Sequence, residues 1–265
     1  MGEKNLQTEC LSVVQLEKYL NTKAANHKCY KTYARLNRIQ SWIDSDCFYL
    51  DDGSNWNDTH DRQTFNSDNA KVKRFGRCFS FSKSESVAMW MLYGGMQKDG
   101  AMLEFTQKAM RQLISTPNVE IGNWVDGRFI CAGHLDREQF DLELKDILYA
   151  ASSSKESNGI YIRRSDEVHH NAPASVINQL EHCVKSTSWS YENECRLILT
   201  VEKSVLPLNQ TITSVKIPFN GLLLQEGQTS IYCAPNFRGE KPYNPSKLSD
   251  EIDWNLCHGC TTPGE

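Results

Sequence analysis

The sequence predicts a single α+β domain: a mixed, mainly antiparallel central sheet with packed helices. Three observations carry this. Apolar–polar alternation at the strand period recurs along the chain, as where Cys195, Leu197, Leu199 and Val201 alternate with Glu194, Arg196, Ile198 and Thr200. Helical spacing is interspersed between such runs without regular βαβ units. Asp126-Gly127, set between W-V and R-F-I-C, is a hairpin signal. A chain of 265 residues is long enough for a full hydrophobic core.

Taken in order, Ser12 to Leu20 reads as a helix, with Ser12 and Gln15 as a capping box and Val13, Leu16 and Leu20 as its apolar stripe. Residues 21–29 read as polar linker. C-Y-K-T-Y (29–33) suits a strand, and Leu36, Ile39 and Ile43 mark a helix. C-F-Y-L (47–50) is a strand. The polar stretch 51–61, with Trp56 inside it, is a long loop, either solvated surface or functional. Residues 62–72 read as helix or loop.

Arg77 to Ser82 is a strand with Phe79 and Phe81 on one face and Cys78, Ser80 and Ser82 on the other. Ser82 and Glu85 suggest a capping box for a helix through Tyr93. That helix, which carries Trp90, is apolar nearly all round and should be buried, with Gly94-Gly95 as its stop. G-A-M-L-E-F (100–105) is a strand, and Met110, Leu113 and Ile114 mark a helix. The hairpin strands fall at 119–125 and 128–132. Phe140, Leu144, Ile147 and Leu148 predict a helix over Leu135–Ala151, followed by a flexible connection at 152–159. Ile160–Arg163 is a strand and Pro173–Val184 a helix, with His169, His170 and His182 read as surface residues. Strands at 194–201, 212–218 and 229–233 complete the sheet. The chain thus divides into an N-terminal helix and linker (1–28), a core (29–235) and an irregular tail (236–265).

The formal net charge of −4 and a pI near 6.0 leave no generic nucleic-acid footprint, although a local basic groove stays open. No apolar run approaches the ~20 residues of a membrane span. The opening M-G-E-K-N-L-Q-T lacks a signal-peptide core, and Leu6 stands where myristoylation needs Ser or Thr. A cytoplasmic protein without membrane contact is expected. Its ten cysteines then read as free thiols, with Cys78, Cys131, Cys195 and Cys233 as core residues. Cys257 and Cys260 have C-x-x-C spacing, but no second pair completes a structural zinc site, so no metal is expected. Rossmann, P-loop, zincin and nucleophile-elbow signatures are missing.

The stretch Lys185–Leu199, K-S-T-S-W-S-Y-E-N-E-C-R-L-I-L, is the first place to look for chemistry. Glu192 and Glu194 are two residues apart and leave the same side of an extended chain. Paired carboxylates at a strand mouth are costly to bury. The bland alternative is a solvated strand end with Glu194 and Arg196 as ion partners of little energetic weight.

Three stretches together resemble a family: W-N-D-T-H-D (56–61), C-F-S-F-S through M-W-M-L-Y-G-G to G-A-M-L-E-F (78–105), and Lys185–Leu199. The chain resembles the bacterial domain-of-unknown-function family numbered 2971, over roughly residues 29–235. Where that family carries an arginine after its first tyrosines, Arg35 is the nearest in this chain. A more distant similarity is to the ADP-ribosyltransferase fold, which implies split sheets and a site drawn from three strands. Carried onto this sequence, it implies Glu194 and Glu192 as catalytic residues and Tyr33, Arg35, Ser80, Ser82 and Tyr93 as binding residues for NAD, consumed as substrate. The acceptor would be a protein or nucleic acid, and the setting a toxin or phage-defence effector. Breaking the nicotinamide–ribose bond develops positive charge on the ribose, which a carboxylate at Glu194 can stabilise, while Glu192 deprotonates the acceptor. Two other readings stay open. One is a non-catalytic module binding a partner protein through the 51–61 loop. The other is a metal-dependent hydrolase or nuclease using Asp58, Asp61, Glu192 and Glu194.

Overall fold

The computed structural model describes residues 12–67, 70–83, 86–93, 100–150, 159–164, 167–173, 175, 178–234 and 248–249. Its helices are α1 (Val13–Ala24), α2 (Leu36–Asp44), α3 (Thr59–Thr64), α4 (Val87–Leu92) and α5 (Gln107–Ile114). Its strands are β1 (Cys29–Arg35), β2 (Cys47–Asp51), β3 (Val72–Ser80), β4 (Gly100–Thr106), β5 (Asn118–Val125), β6 (Arg128–Asp136), β7 (Phe140–Asp146) and β8 (Leu148–Ala150). They continue with β9 (Gly159–Arg164), β10 (Glu167–Pro173), β11 (Val184–Ser186), β12 (Glu194–Glu202), β13 (Ser214–Pro218), β14 (Thr229–Cys233) and β15 (Leu248–Ser249). The architecture is mixed α+β, mainly antiparallel, in one domain.

Among the described residues eleven strands form the main sheet, and β10-β9-β8-β11 form a second. Strand β3 is the junction of the main sheet. On one side it pairs with β12 along its whole length, from Glu194↔Ser80 to Glu202↔Val72. On the other it meets β1 only at Lys31↔Ser80 and β2 only at Asp51↔Gly76. Strand β1 turns away to pair with β4 over its full length, and β2 pairs with β13. The sheet therefore opens on that side of β3 between Gly76 and Ser80, and this opening positions the cleft described below.

Phe48, Phe75, Phe79, Phe105 and Phe219 sit at the centre of the core, with Phe48 and Phe79 stacked at 5.8 Å. Strand β12 is buried along nearly its whole length, including its polar residues Glu194 and Arg196. Helix α1 begins at the expected Ser12–Gln15 capping box and lays Leu16 and Leu20 on a second apolar cluster with Ile147, Tyr149 and Ile198. The hairpin turns at Asp126 and Gly127, both at positive φ (47° and 75°), as a two-residue turn of this sequence requires.

Several expectations need correction. Residues 135–150 are not a helix: they end β6, turn, and form β7 and β8. Phe140, Leu142 and Leu144 alternate with exposed Asp141 and Glu143, and that period of two fits the sheet edge offered by β12. The expected helix over 173–184 is replaced at both ends: Pro173 closes strand β10, and Asn178–Cys183 is 3-10 and leads into β11, while Ser175 is helical. His182 is buried rather than on the surface. Helix α4 is capped by Ser86, not Ser82, and it buries Met89 and Trp90, while Met91 and Leu92 are about half exposed. Part of the 51–61 loop is helical, because Asp58 caps α3. Cys131 is exposed and Cys78 and Cys233 are half-buried; of the four thiols read as core, only Cys195 is fully so. Glu85, Gly94-Gly95, the 152–158 connection and Cys257–Cys260 lie outside the described residues.

Candidate functional site

The opening beside β3 is a cleft of about 580 Å³. Residues from β1 (Tyr33, Arg35), β3 (Arg77, Cys78), α4 (Tyr93, just past its end) and the 3-10 turn and strand around Glu192 and Glu194 all line it. Trp56, Trp124 and Leu92 add apolar surface.

Two groups of charge meet in this cleft, and β3 separates them, since Arg77 and Cys78 leave opposite faces of a strand. The first group is buried. Thr187–Glu192 forms a 3-10 turn that Asn193 closes in the left-handed conformation (φ 45°), which asparagine tolerates. Glu192 at the end of the turn and Glu194 at the start of β12 therefore converge on one cation. Lys185 Nζ donates to Glu192 Oε2 at 2.6 Å and Glu194 Oε2 at 2.8 Å, and it lies 3.4 Å from Asp61 Oδ2. Arg196 Nε donates to Glu194 Oε1 and its Nη2 to Asp61 Oδ2, both at 2.7 Å, while Nη1 reaches the His182 carbonyl at 2.8 Å. The Arg196 guanidinium lies over the Trp56 ring at 4.8 Å. Tyr93 donates its hydroxyl to Glu192 Oε1 at 2.6 Å, and the Glu194 backbone N–H donates to the Tyr149 hydroxyl at 2.9 Å. Asp61 Oδ1 is buried without a hydrogen-bond partner among the described residues.

This clustering sets the two glutamates apart. Burial and the nearby Glu194 charge raise the Glu192 carboxyl to about 7, against the pull of Lys185. Burial acts the same way on Glu194, but Arg196 and Lys185 outweigh it and hold that carboxylate well below its usual range. Glu194 is therefore held as a charge, whereas Glu192 keeps its proton more readily than an ordinary carboxyl. Burial and Glu192 push the Tyr93 hydroxyl upward, so it stays a donor. Burial and Glu194 likewise raise the Cys78 thiol well above its ordinary value. Lys185 is lowered by burial but raised more by Glu194 and Glu192, so it stays charged.

The second group is looser. Arg77 Nη1 and Arg38 Nη2 lie 3.8 and 3.4 Å from the same Asp51 Oδ2. Arg77 Nε donates to Thr32 Oγ1 at 3.2 Å, and its guanidinium stacks 4.8 Å from the Trp42 ring.

Of the residues the sequence singled out, Tyr33, Arg35, Tyr93, Glu192 and Glu194 share the cleft, and so do Asp58 and Asp61 of the metal-dependent reading. The Tyr33 ring is held edge-on to Trp90 at 4.9 Å. Ser80 is buried opposite Glu194 in the sheet, and Ser82 follows the strand end; neither lines the cleft. Asp58 serves as the cap of α3, accepting from the His60 N–H at 2.8 Å. The sequence points to Asp61 only through the metal-dependent reading, and it does not mark Lys185 and Arg196 as site residues, although Lys185 opens the informative stretch and Arg196 stands two residues from Glu194. Apart from the cleft, His27 Nε2 lies 2.7 Å from Asp146 Oδ1, and with Cys195 they form a trio whose donor atoms all lie within 4.8 Å of one another. That trio is one donor short of a tetrahedral zinc set.

Residues 89–197 match a family described as a protein of unknown function (DUF2971), so this part of the chain, from α4 into β12, is similar to that family. No curated protein and no solved structure matches the chain. No helix among the described residues is long and apolar enough to cross a membrane.

Proposed function

We propose that the cleft binds NAD and that the protein cleaves its nicotinamide–ribose bond, passing the ADP-ribosyl group to water or to an acceptor. The observation that carries this reading is the meeting of Glu192, Glu194, Tyr93, Tyr33 and Arg35 in one cleft. In the reaction nicotinamide leaves with the electron pair of the C1′–N bond, and positive charge develops on the ribose. The buried group answers that charge. Asp61, Glu192 and Glu194 face Lys185 and Arg196, three carboxylates against two cations, so the group is net negative when Glu192 is ionised. A field of this kind, fixed before the reaction, stabilises the ribosyl cation. Glu192, near 7, also accepts the proton that water or the acceptor loses as it attacks C1′. Tyr93 orients Glu192 and presents its ring to the cleft, where it can stack on nicotinamide.

The metal-dependent alternative is less well supported. Lys185 and Arg196 already engage Asp61 Oδ2, Glu192 Oε2 and both Glu194 oxygens, and Asp58 caps α3. The test is nicotinamide release from NAD by the purified protein in the presence of EDTA, followed by chromatography. Release is the expected result. No release, even with cell extract supplying acceptors, would turn the reading towards a partner-binding module.

A further inference from the structure

The basic side of the cleft has no place in that chemistry, yet it is unusually built. Two guanidinium groups, Arg38 and Arg77, face the single carboxylate of Asp51: Arg38 donates a long hydrogen bond to it at 3.4 Å, and Arg77 stands 3.8 Å away. The other Asp51 oxygen is already taken by the Ser214 hydroxyl at 3.3 Å. Arg77 is only 13% exposed and is fixed on two sides, by Thr32 and by the Trp42 face, so its donor fork is pre-aimed. It is also strained electrostatically: burial, and then Arg38, pull it down to about 10 against the help of Asp51. An arrangement of this kind lacks an anion, and a planar fork beside a second arginine suits the paired oxygens of a phosphate.

We infer that Arg38 and Arg77, loosely held by Asp51, form a subsite for the diphosphate of a nucleotide bound in the cleft. The identity of the nucleotide rests on the NAD reading; the anion subsite rests on the arginine geometry. The two subsites then match the two charges of oxidised NAD, a diphosphate on the Arg77 side of β3 and a pyridinium towards Glu192 and Glu194.

The test is calorimetric titration of the full chain with inorganic pyrophosphate, beside Arg38→Gln and Arg77→Gln. Binding by the parent protein is expected, weakening as salt rises. Each substitution should weaken it by about 10- to 100-fold, the range for a lost charge-assisted hydrogen bond. Arg77 is buried enough that its variant can fail to fold; Arg38, 45% exposed, then decides alone. No binding by the parent, or an unchanged Kd in Arg38→Gln, overturns the subsite. The two proposals separate cleanly. Arginine-dependent pyrophosphate binding without nicotinamide release keeps the subsite and removes the NAD reading. Nicotinamide release with an unchanged KM in Arg38→Gln keeps the NAD reading and removes the subsite.

Discussion

The two charged groups of the cleft are built by opposite rules. Around Glu194 four ion pairs are short (2.6–2.8 Å), with Lys185 and Asp61 at 3.4 Å beside them, and every participant is nearly or fully buried. Around Asp51 the pairs are long (3.4 and 3.8 Å) and Arg38 is 45% exposed. Charges removed from water are tolerable only when geometry and hydrogen bonds are nearly complete. The tight group therefore fixes a field and the positions of its carboxylates. The loose group is free to accept a partner.

The largest expected effect comes from breaking the tight group. Arg196→Ala leaves Glu194 and Asp61 buried with Lys185 as the one remaining cation among the described residues of the group. It should cost roughly 3–5 kcal/mol by denaturant unfolding, as for other buried pairs stripped of one member. Trp90→Ala should cost a similar roughly 3–5 kcal/mol, because the ring is buried and packs on Tyr33 and Met102. A fold unchanged by the first substitution would mean the group is solvated after all.

Glu194→Gln removes the fixed charge while keeping size. A loss of about 10²–10³ in NAD cleavage is expected, with melting temperature as the control for folding. Glu192 gives a pH signature instead. Its carboxyl is raised on folding, so its stabilising contribution is complete below its ordinary value of 4.5 and is lost as pH rises towards about 7. Over the same rise the carboxylate forms and turnover should increase. Glu192→Gln should flatten both trends and leave turnover near the level of the parent's acid limb. The smallest effect belongs to the loose group: Asp51→Asn keeps the side chain's size and gives up only long contacts at 3.4 and 3.8 Å, so stability should change by about 1 kcal/mol.

The sheet's main strands were legible because their alternation or turn chemistry is local. The hairpin at Asp126-Gly127 and the capping box at Ser12 hold without tertiary help. Residues 140–146 were not legible, because Phe140 and Leu144 also satisfy helical spacing and only the pairing with β12 selects the strand. Pro173 was read as a helix start but ends a strand, since proline also suits a strand end.

The site shows the same division. Glu192 and Glu194 do converge, but not through the extended chain their spacing suggests: Thr187–Glu192 is a 3-10 turn, and left-handed Asn193 brings them together; of the bland alternative, only the Glu194–Arg196 contact is present. Its burial was not visible. A strand with alternating polar residues looks half-solvated, and only the packing of Trp56 and Phe65 over Arg196, together with Asp61 from α3, makes it interior. Asp61 comes from 135 residues away in sequence, beyond the reach of any local pattern. The apolar run of α4 looked fully buried because periodicity cannot show that Leu92 faces a cleft.

The most direct measurement of the central claim is thermal stabilisation of the parent protein by two nucleotides of equal diphosphate charge. One is a carbocyclic NAD analogue, which keeps the cationic ring but is not cleaved; the other is NADH, whose ring is neutral. A cleft with a net negative group beside Glu192 should favour the cationic ring. The analogue should therefore raise the melting temperature at concentrations where NADH does so weakly, by the mass-action stabilisation of a bound state. The gap should narrow below pH 7, where Glu192 takes up its proton. Equal stabilisation by both nucleotides at every pH, or none by either, would contradict the account.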